Sequence, residues 1–265
     1  MPDPIIKMRD VRKAFGTNQV LDGFELNVDP HEIFVLLGGS GAGKSVTLKH
    51  IIGLIRPDAG QITVMDRDVD SLSQEALMEL RKKIGYLFQS GGLLNSLSVF
   101  ENIALPLREH TPLSDGEIRD RVMDRLEIVG LASFSDVMPE VLSGGMRKRV
   151  SLARVVVQEP EIILYDEPTH GLDPIMAGRI NDLILDLNQR FNTTSVVVTH
   201  DMAGAMEVAD RLGLIHEGRM IETGDPDSFF NSETPLVKQF VRGEPDAADE
   251  AARLMNQIDE PTTHE

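Results

Sequence analysis

The sequence predicts an α/β fold built around a buried parallel sheet. Three observations carry this. Ile33-Phe34-Val35-Leu36-Leu37, Ile162-Ile163-Leu164-Tyr165 and Ser195-Val196-Val197-Val198-Thr199 are short, β-rich runs without polar alternation. Such runs suit strands covered on both faces. Each ends in polar or glycine residues: Gly38, Asp166-Glu167 and His200-Asp201. In open α/β sheets ligands bind beyond the carboxyl ends of the strands, so three such ends predict one site. Along the chain, Ile5–Val28 reads as an antiparallel hairpin region, and Val46–Ile52 as a helix after the first buried strand. Residues of about 90–160 carry helical patterns with no clear strand and read as a helical insertion. These boundaries give one large domain over residues 1–243 and a polar tail over 244–265, with a short helix around Ala247–Ile258.

Composition excludes several classes. The 265-residue chain has no cysteine, which removes disulfides, thiolate metal sites and cysteine nucleophiles. No apolar run approaches the roughly 20 residues of a spanning helix, and Met-Pro-Asp-Pro at the start lacks a signal-peptide pattern. Acids outnumber Lys+Arg 43 to 26, a net charge of −17 that opposes broad binding to nucleic acid or anionic lipid. A soluble, cytosolic protein is the expectation. The tail carries seven acids and one Arg, −6 of the total, leaving −11 for the other 243 residues. Met146–Arg154 holds four basic residues and no acid. Its run Arg147-Lys148-Arg149 reads as a solvated helix face.

Chemistry concentrates in two segments. Gly38-Gly39-Ser40-Gly41-Ala42-Gly43-Lys44-Ser45 fits G-x-x-x-x-G-K-[ST], between a buried strand and a helix. Glycines let backbone N–H groups curl around phosphate oxygens, and the helix start adds a favourable dipole. Lys44 is expected to reach the β- and γ-phosphates of a nucleoside triphosphate, and Ser45 to ligate Mg²⁺. Asp166, at a strand end, suits Mg²⁺. Glu167 suits a water-orienting base, and His200 suits a hydrogen bond to the γ-phosphate.

Leu142-Ser143-Gly144-Gly145-Met146 adds a motif that most phosphate-loop proteins lack. It resembles the Leu-Ser-Gly-Gly-Gln signature of ATP-binding cassette (ABC) ATPases. Ser143 and the glycines open a helix with an apolar stripe at Val150, Ala153 and Val157, a second anion-binding helix start. The resemblance covers residues of about 5–242. It implies a P-loop cassette with a RecA-like core, an antiparallel β subdomain and a helical subdomain. It also implies ATP hydrolysis in a head-to-tail dimer, where Ser143, Gly144 and Gly145 of one copy face the phosphate loop of the other. By position, Phe15 matches the adenine-stacking aromatic and Gln89 the Q-loop glutamine that joins Mg²⁺ to the helical part. Asp166 and Glu167 match the Walker B pair, Asp173 in Gly171-Leu172-Asp173 the D-loop, and His200 the switch histidine. Three positions depart from the pattern: Gly39 for Pro, Val46 for Thr, and Met146 for Gln. With Glu167 present, active hydrolysis is the expectation.

Further strings, Phe88-Gln89-Ser90-Gly91-Gly92, Pro106–Thr111, Met138–Met146 and Gly171–Ile175, are similar to those of Mla/Mce-type lipid transport ATPases, the toluene-tolerance group. That similarity makes Met146 a subgroup trait. It implies a second copy of the chain, an MlaE-like integral-membrane permease, an Mce-domain lipid-binding subunit and a small STAS-domain protein as partners. It implies no nucleic acid, and a peripheral position on the cytoplasmic face of the inner membrane. Ser90–Thr111 is the expected permease groove, although its apolar residues also suit ordinary packing. His170 stands where Thr or Val is more familiar and reads as a surface substitution. Other cargo (amino acids, metal chelates, lipoproteins) stays open, as does a soluble role on DNA or the ribosome. The latter is opposed by the lack of heptads between Ser45 and Ser143 and by the single cassette.

Overall fold

The computed structural model describes residues 3–244. The acidic tail, with the helix expected around Ala247–Ile258, lies outside the described residues except for Glu244. The chain opens with strands β1 (Ile6–Phe15) and β2 (Asn18–Val28), then β3 (Ile33–Leu37), helix α1 (Lys44–Ile51), β4 (Ala59–Val64), β5 (Arg67–Asp68), α2 (Gln74–Lys82) and β6 (Ile84–Leu87). Three helices follow without an intervening strand: α3 (Val99–His110), α4 (Asp115–Ile128) and α5 (Gly144–Val156). The chain returns through β7 (Ile162–Asp166), α6 (Pro174–Phe191), β8 (Thr194–Thr199), α7 (Met202–Val208), β9 (Arg211–His216) and β10 (Arg219–Gly224). It closes with α8 (Pro226–Phe230) and α9 (Pro235–Val241).

Among the described residues the strands form two sheets. A four-stranded antiparallel sheet runs β2-β1-β4-β5, and a six-stranded sheet runs β10-β9-β3-β8-β7-β6. Within the second, β3 pairs in parallel with both β8 and β9, β8 with β7, and β7 with β6, while β10 is antiparallel to β9. The three runs without polar alternation are β3, β7 and β8, at the centre of this sheet and buried at every position. Their side chains divide by the period of two. Val35, Leu37, Ile163, Tyr165 and Val197 join the core under α3–α7. Phe34, Leu36, Ile162, Leu164, Val196 and Val198 join a second core with β1, β2, β4, α1 and α2. The central sheet is thus a partition with helices on one side and an antiparallel sheet plus α1 on the other. This agrees with the α/β class, the N-terminal hairpin and the helical stretch read from the sequence.

The helices of the insertion have strong local starts. Ser98 and Ser114 each accept a hydrogen bond from the backbone N–H three residues on, and Glu101 and Glu117 each accept the serine's own N–H in return. These reciprocal boxes satisfy two orphan donors per helix. α1 starts differently. Its first residue is Lys44, two positions before the helix start expected from the sequence. Its N-cap is Gly43 at φ 106°, with no side-chain cap. A Cβ at Gly43 would lie 2.9 Å from the Val20 carbonyl and from Leu21, so only glycine fits there.

Candidate functional site

The carboxyl ends of β3, β7 and β8 meet at a cavity of about 750 Å³. Phe15, Gly39, Ser40, Gly41, Ala42, Gly43, Lys44, Ser45, Val46, Gln89, Glu167 and His200, all expected at the nucleotide site from the sequence, line it. Asn18, Val20 and His170 also line it and were not expected there.

The loop after β3 wraps around Lys44. Its ammonium donates to the carbonyls of Gly38 and Gly39, at 2.8 and 2.9 Å, and lies 3.4 Å from Glu167 Oε1. Burial pushes the Lys44 ammonium below its ordinary range, and the Glu167 carboxylate opposes that shift. Gly41 and Gly43 take positive φ, 78° and 106°, a backbone conformation that favours glycine.

At the end of β7, the Ser45 hydroxyl donates to Asp166 Oδ1 at 2.7 Å, and the Tyr86 hydroxyl donates to Asp166 Oδ2 at 3.0 Å. Burial, then the neighbouring Asp166 charge, raises the Tyr86 phenol well above its usual value, so it remains a donor. The Ser45–Asp166 pair suits Mg²⁺. Both are hard oxygen donors, and adjacent ligands on an octahedral ion with bonds of about 2.1 Å lie about 3 Å apart.

Glu167, the next residue, is buried, with φ at +48°. Its N–H donates to Val198 O at 3.0 Å, and its Oε2 lies 2.9 Å from His200 Nδ1. A left-handed non-glycine backbone is costly and persists where the surroundings over-determine it. Here the β8 bond, Lys44 and His200 all hold the residue.

The remaining sequence-derived residues lie elsewhere. Gly38 packs against Ile215, where a Cβ would fall 2.7 Å from a carbonyl. Ser143 caps α5 by accepting from Met146 N–H at 3.3 Å. Gly144 lies along Leu172, and Gly145 is pressed against Met176 of α6. Asp173 caps α6 through Oδ1, accepting from the N–H groups of Ile175 and Met176 at 3.0 Å. None of Ser143, Gly144, Gly145 and Asp173 lines the phosphate-loop cavity of its own chain.

One expectation is corrected. Of Arg147-Lys148-Arg149 only Arg147 is exposed, so the run is not a solvated face throughout. Lys148 is buried, donating to Gln89 O and, at 3.4 Å, to Glu167 O, while Arg149 donates to Val129 O at 2.8 Å. Burial lowers the Lys148 ammonium pKa, while Asp166 and Glu167 oppose this. The available signal was spacing. Lys148 stands three residues from Gly145 and from Ser151 and four from Leu152, all on the buried stripe of α5. Tyr86 and His170 offered none, since their partners are distant in sequence or met only across the cavity.

A glycine loop at a helix start, a buried lysine within it, and a Ser–Asp oxygen pair beside a second carboxylate define a phosphate-loop nucleotide-binding protein. Comparison with known proteins narrows this. The family model described as ABC transporter matches residues 21–170. The chain is 41% identical over 238 residues to a probable ribonucleotide transport ATP-binding protein, mkl, of Mycobacterium leprae, covering 90% of this chain and 69% of that one. It is 39% identical over 246 residues to the intermembrane phospholipid transport system ATP-binding protein MlaF of Haemophilus influenzae, covering 93% of each. The solved dimeric ATP-binding cassette MJ0796, in a post-hydrolysis state with ADP and Pi, superposes with a TM-score of 0.77 at 32% identity, over 83% of this chain and 98% of that one. The chain belongs to the ABC transporter family, as one of its ATPase subunits.

Proposed function

We propose that this chain is the ATPase of a lipid-moving transporter and that two copies, arranged head to tail, clamp two ATP molecules between them. The observation that carries the site assignment is the Glu167 carboxylate, held between Lys44 and His200 at the mouth of the phosphate-loop cavity. In this reading the N–H groups of Gly39–Val46 and the Lys44 ammonium bind the phosphates, and Phe15, half exposed at the cavity rim, stacks on adenine. Ser45, Asp166 and Gln89 would hold Mg²⁺, which would supply charge neutralisation to the phosphates when bound. Glu167 orients the attacking water and His200 donates to the γ-phosphate. The partner copy contributes Ser143, Gly144, Gly145 and Asp173. Their distance from this chain's own cavity, and the dimeric state of the MJ0796 cassette, support that division.

The match to MlaF over 93% of both chains supports phospholipid as cargo. An MlaE-like permease, an Mce-domain subunit and a STAS-domain protein are the corresponding partners. Among the described residues no helix is long and apolar enough to cross a membrane, so attachment to the cytoplasmic face of the inner membrane would come through the permease. The mycobacterial relative's name favours a second reading, the same motor with ribonucleotide cargo.

Glu167→Gln tests the motor. It is expected to bind ATP normally, to accumulate as an ATP-bound dimer, and to hydrolyse about 10²–10⁴-fold more slowly. Turnover at the wild-type rate would remove Glu167 from this role. Cargo is decided by reconstituting the chain with its permease and asking whether phospholipid or ribonucleotide raises the ATPase rate.

A further inference from the structure

His170 reads from the sequence as a surface substitution. It is exposed, yet it forms part of the wall of two cavities, the phosphate-loop cavity and a second one of about 520 Å³ lined also by Asp201, Asn181 and Leu172. His200 lines both cavities too, so the two imidazoles form the ridge between them. Their rings stand edge to face, with centroids 5.9 Å apart. Glu167 completes the group: one ligand atom from each of Glu167, His170 and His200 lies within 4.8 Å of the others.

We propose that Glu167, His170 and His200 form a binding site for a borderline divalent transition metal of the Zn²⁺ class, and that its occupation stops ATP hydrolysis. The donor set is two imidazoles and one carboxylate, which favours Zn²⁺, Ni²⁺ or Cu²⁺ over Mg²⁺. It also has the composition of three-ligand zinc sites that keep a fourth position open. Two ligand atoms on a tetrahedral zinc with bonds of about 2.1 Å lie about 3.4 Å apart. The Glu167–His200 spacing of 2.9 Å is already below that. The other two spacings are at most 4.8 Å, and the exposed His170 ring is the group that would turn to close them. The carboxylate is fixed in advance by Lys44 on its other oxygen and by its backbone bond to β8, so binding orders little beyond the two rings.

This site is separate from the oxygen pair Ser45 and Asp166, and it shares no ligand atom with it. Its inhibitory effect rests on the functional reading above: the metal would take the carboxylate that orients water and the imidazole that faces the γ-phosphate. The phosphate loop and Lys44 would remain able to bind ATP. No covalent or redox change is involved. The ion replaces the hydrogen bond between His200 and Glu167.

The test uses the full chain without nucleotide and Zn²⁺ itself, in competition with a chromogenic chelator. The expected result is one high-affinity Zn²⁺ per chain, weakened at least tenfold in His170→Ala, with Ni²⁺ competing and millimolar Mg²⁺ not. X-ray absorption at the zinc edge should show imidazole ligation that decreases in the variant. Equal affinity in wild type and His170→Ala would overturn the site. In the second arm, micromolar Zn²⁺ is added to Mg-ATP turnover. Wild type should slow at least tenfold, and His170→Ala should keep its own zinc-free rate. Equal inhibition of both, or zinc bound with turnover undiminished, would overturn the inhibitory role. Failure of the functional reading has a different signature, turnover unaffected by Glu167→Gln, and leaves the chelator result to decide the site.

Discussion

The helix starts of this molecule fall into two kinds. α3 and α4 begin with Ser–Glu boxes that consume their own orphan donors. α1 begins on a left-handed glycine with no side-chain cap, and its first residue is a buried lysine turned back onto two carbonyls. α5 lies between these: Ser143 accepts from Met146 N–H, but residue 146 is Met, so no side chain returns to the serine's own N–H. A box needs Glu or Gln at that third position. α3 and α4, whose starts are locally complete, carry no residue assigned to ATP, while α1 and α5, whose starts are left open, carry Lys44 and Gly144. α6 is the exception, since Asp173 both caps it and is assigned to ATP.

Substitutions can break or sharpen this contrast. The largest effect is expected at α1. Lys44→Ala removes both the closure of the loop and the ammonium proposed to bind phosphate, so ATP turnover should drop at least about 100-fold. A turnover assay with a fluorescent-nucleotide binding curve checks it, and a loss under tenfold would put α1 among the ordinary helices. Next is Lys148→Met in α5, which leaves the buried carbonyl of Glu167 and the part-buried one of Gln89 without this donor. An unmet buried acceptor costs about 1–3 kcal/mol, visible as a lower midpoint in urea unfolding. Ser98→Ala in α3 should cost about 1 kcal/mol, a melting temperature lower by about 2–4 °C, with nucleotide affinity unchanged. A change in affinity there would blur the two kinds.

The smallest effect is a pH dependence. Backbone N–H bonding from Ser98 holds Glu101 below its ordinary 4.5, and the Ser114 hydroxyl does the same for Glu117. A carboxylate with a depressed folded-state pKa contributes stability that is present above the unfolded value and lost as pH falls through the folded one. Melting curves of wild type and of Glu101→Gln/Glu117→Gln should therefore differ at pH 7 and converge as pH falls below 4.5 and through the lowered folded-state values.

Much of this was legible in the sequence because the relevant signals are contiguous. Gly38–Ser45 is one loop, Asp166-Glu167 one strand end, and β3, β7 and β8 are unbroken apolar runs whose burial follows from their composition. What was not legible depends on strands that meet only in space. β8 is inserted between β3 and β7, and that order brings His200 to Glu167. Tyr86 reaches Asp166 from a strand 80 residues away. Lys148 looked like one member of a charged run because charge patterning reports solvation only when no buried carbonyl is within reach. Here one is. His170 gained meaning only once the turn after β7 placed it beside β8.

The left-handed backbone at Glu167 has a practical consequence for engineering. The energy held there is available to any substitution that relieves it, and glycine takes that conformation without a side-chain penalty. Glu167→Gly relieves that backbone but also removes the carboxylate that faces the buried Lys44, so its two effects on stability oppose each other. Any programme to harden this protein therefore needs turnover in its screen, because in the proposed reading a substitution that relieves this backbone also removes the water-orienting carboxylate.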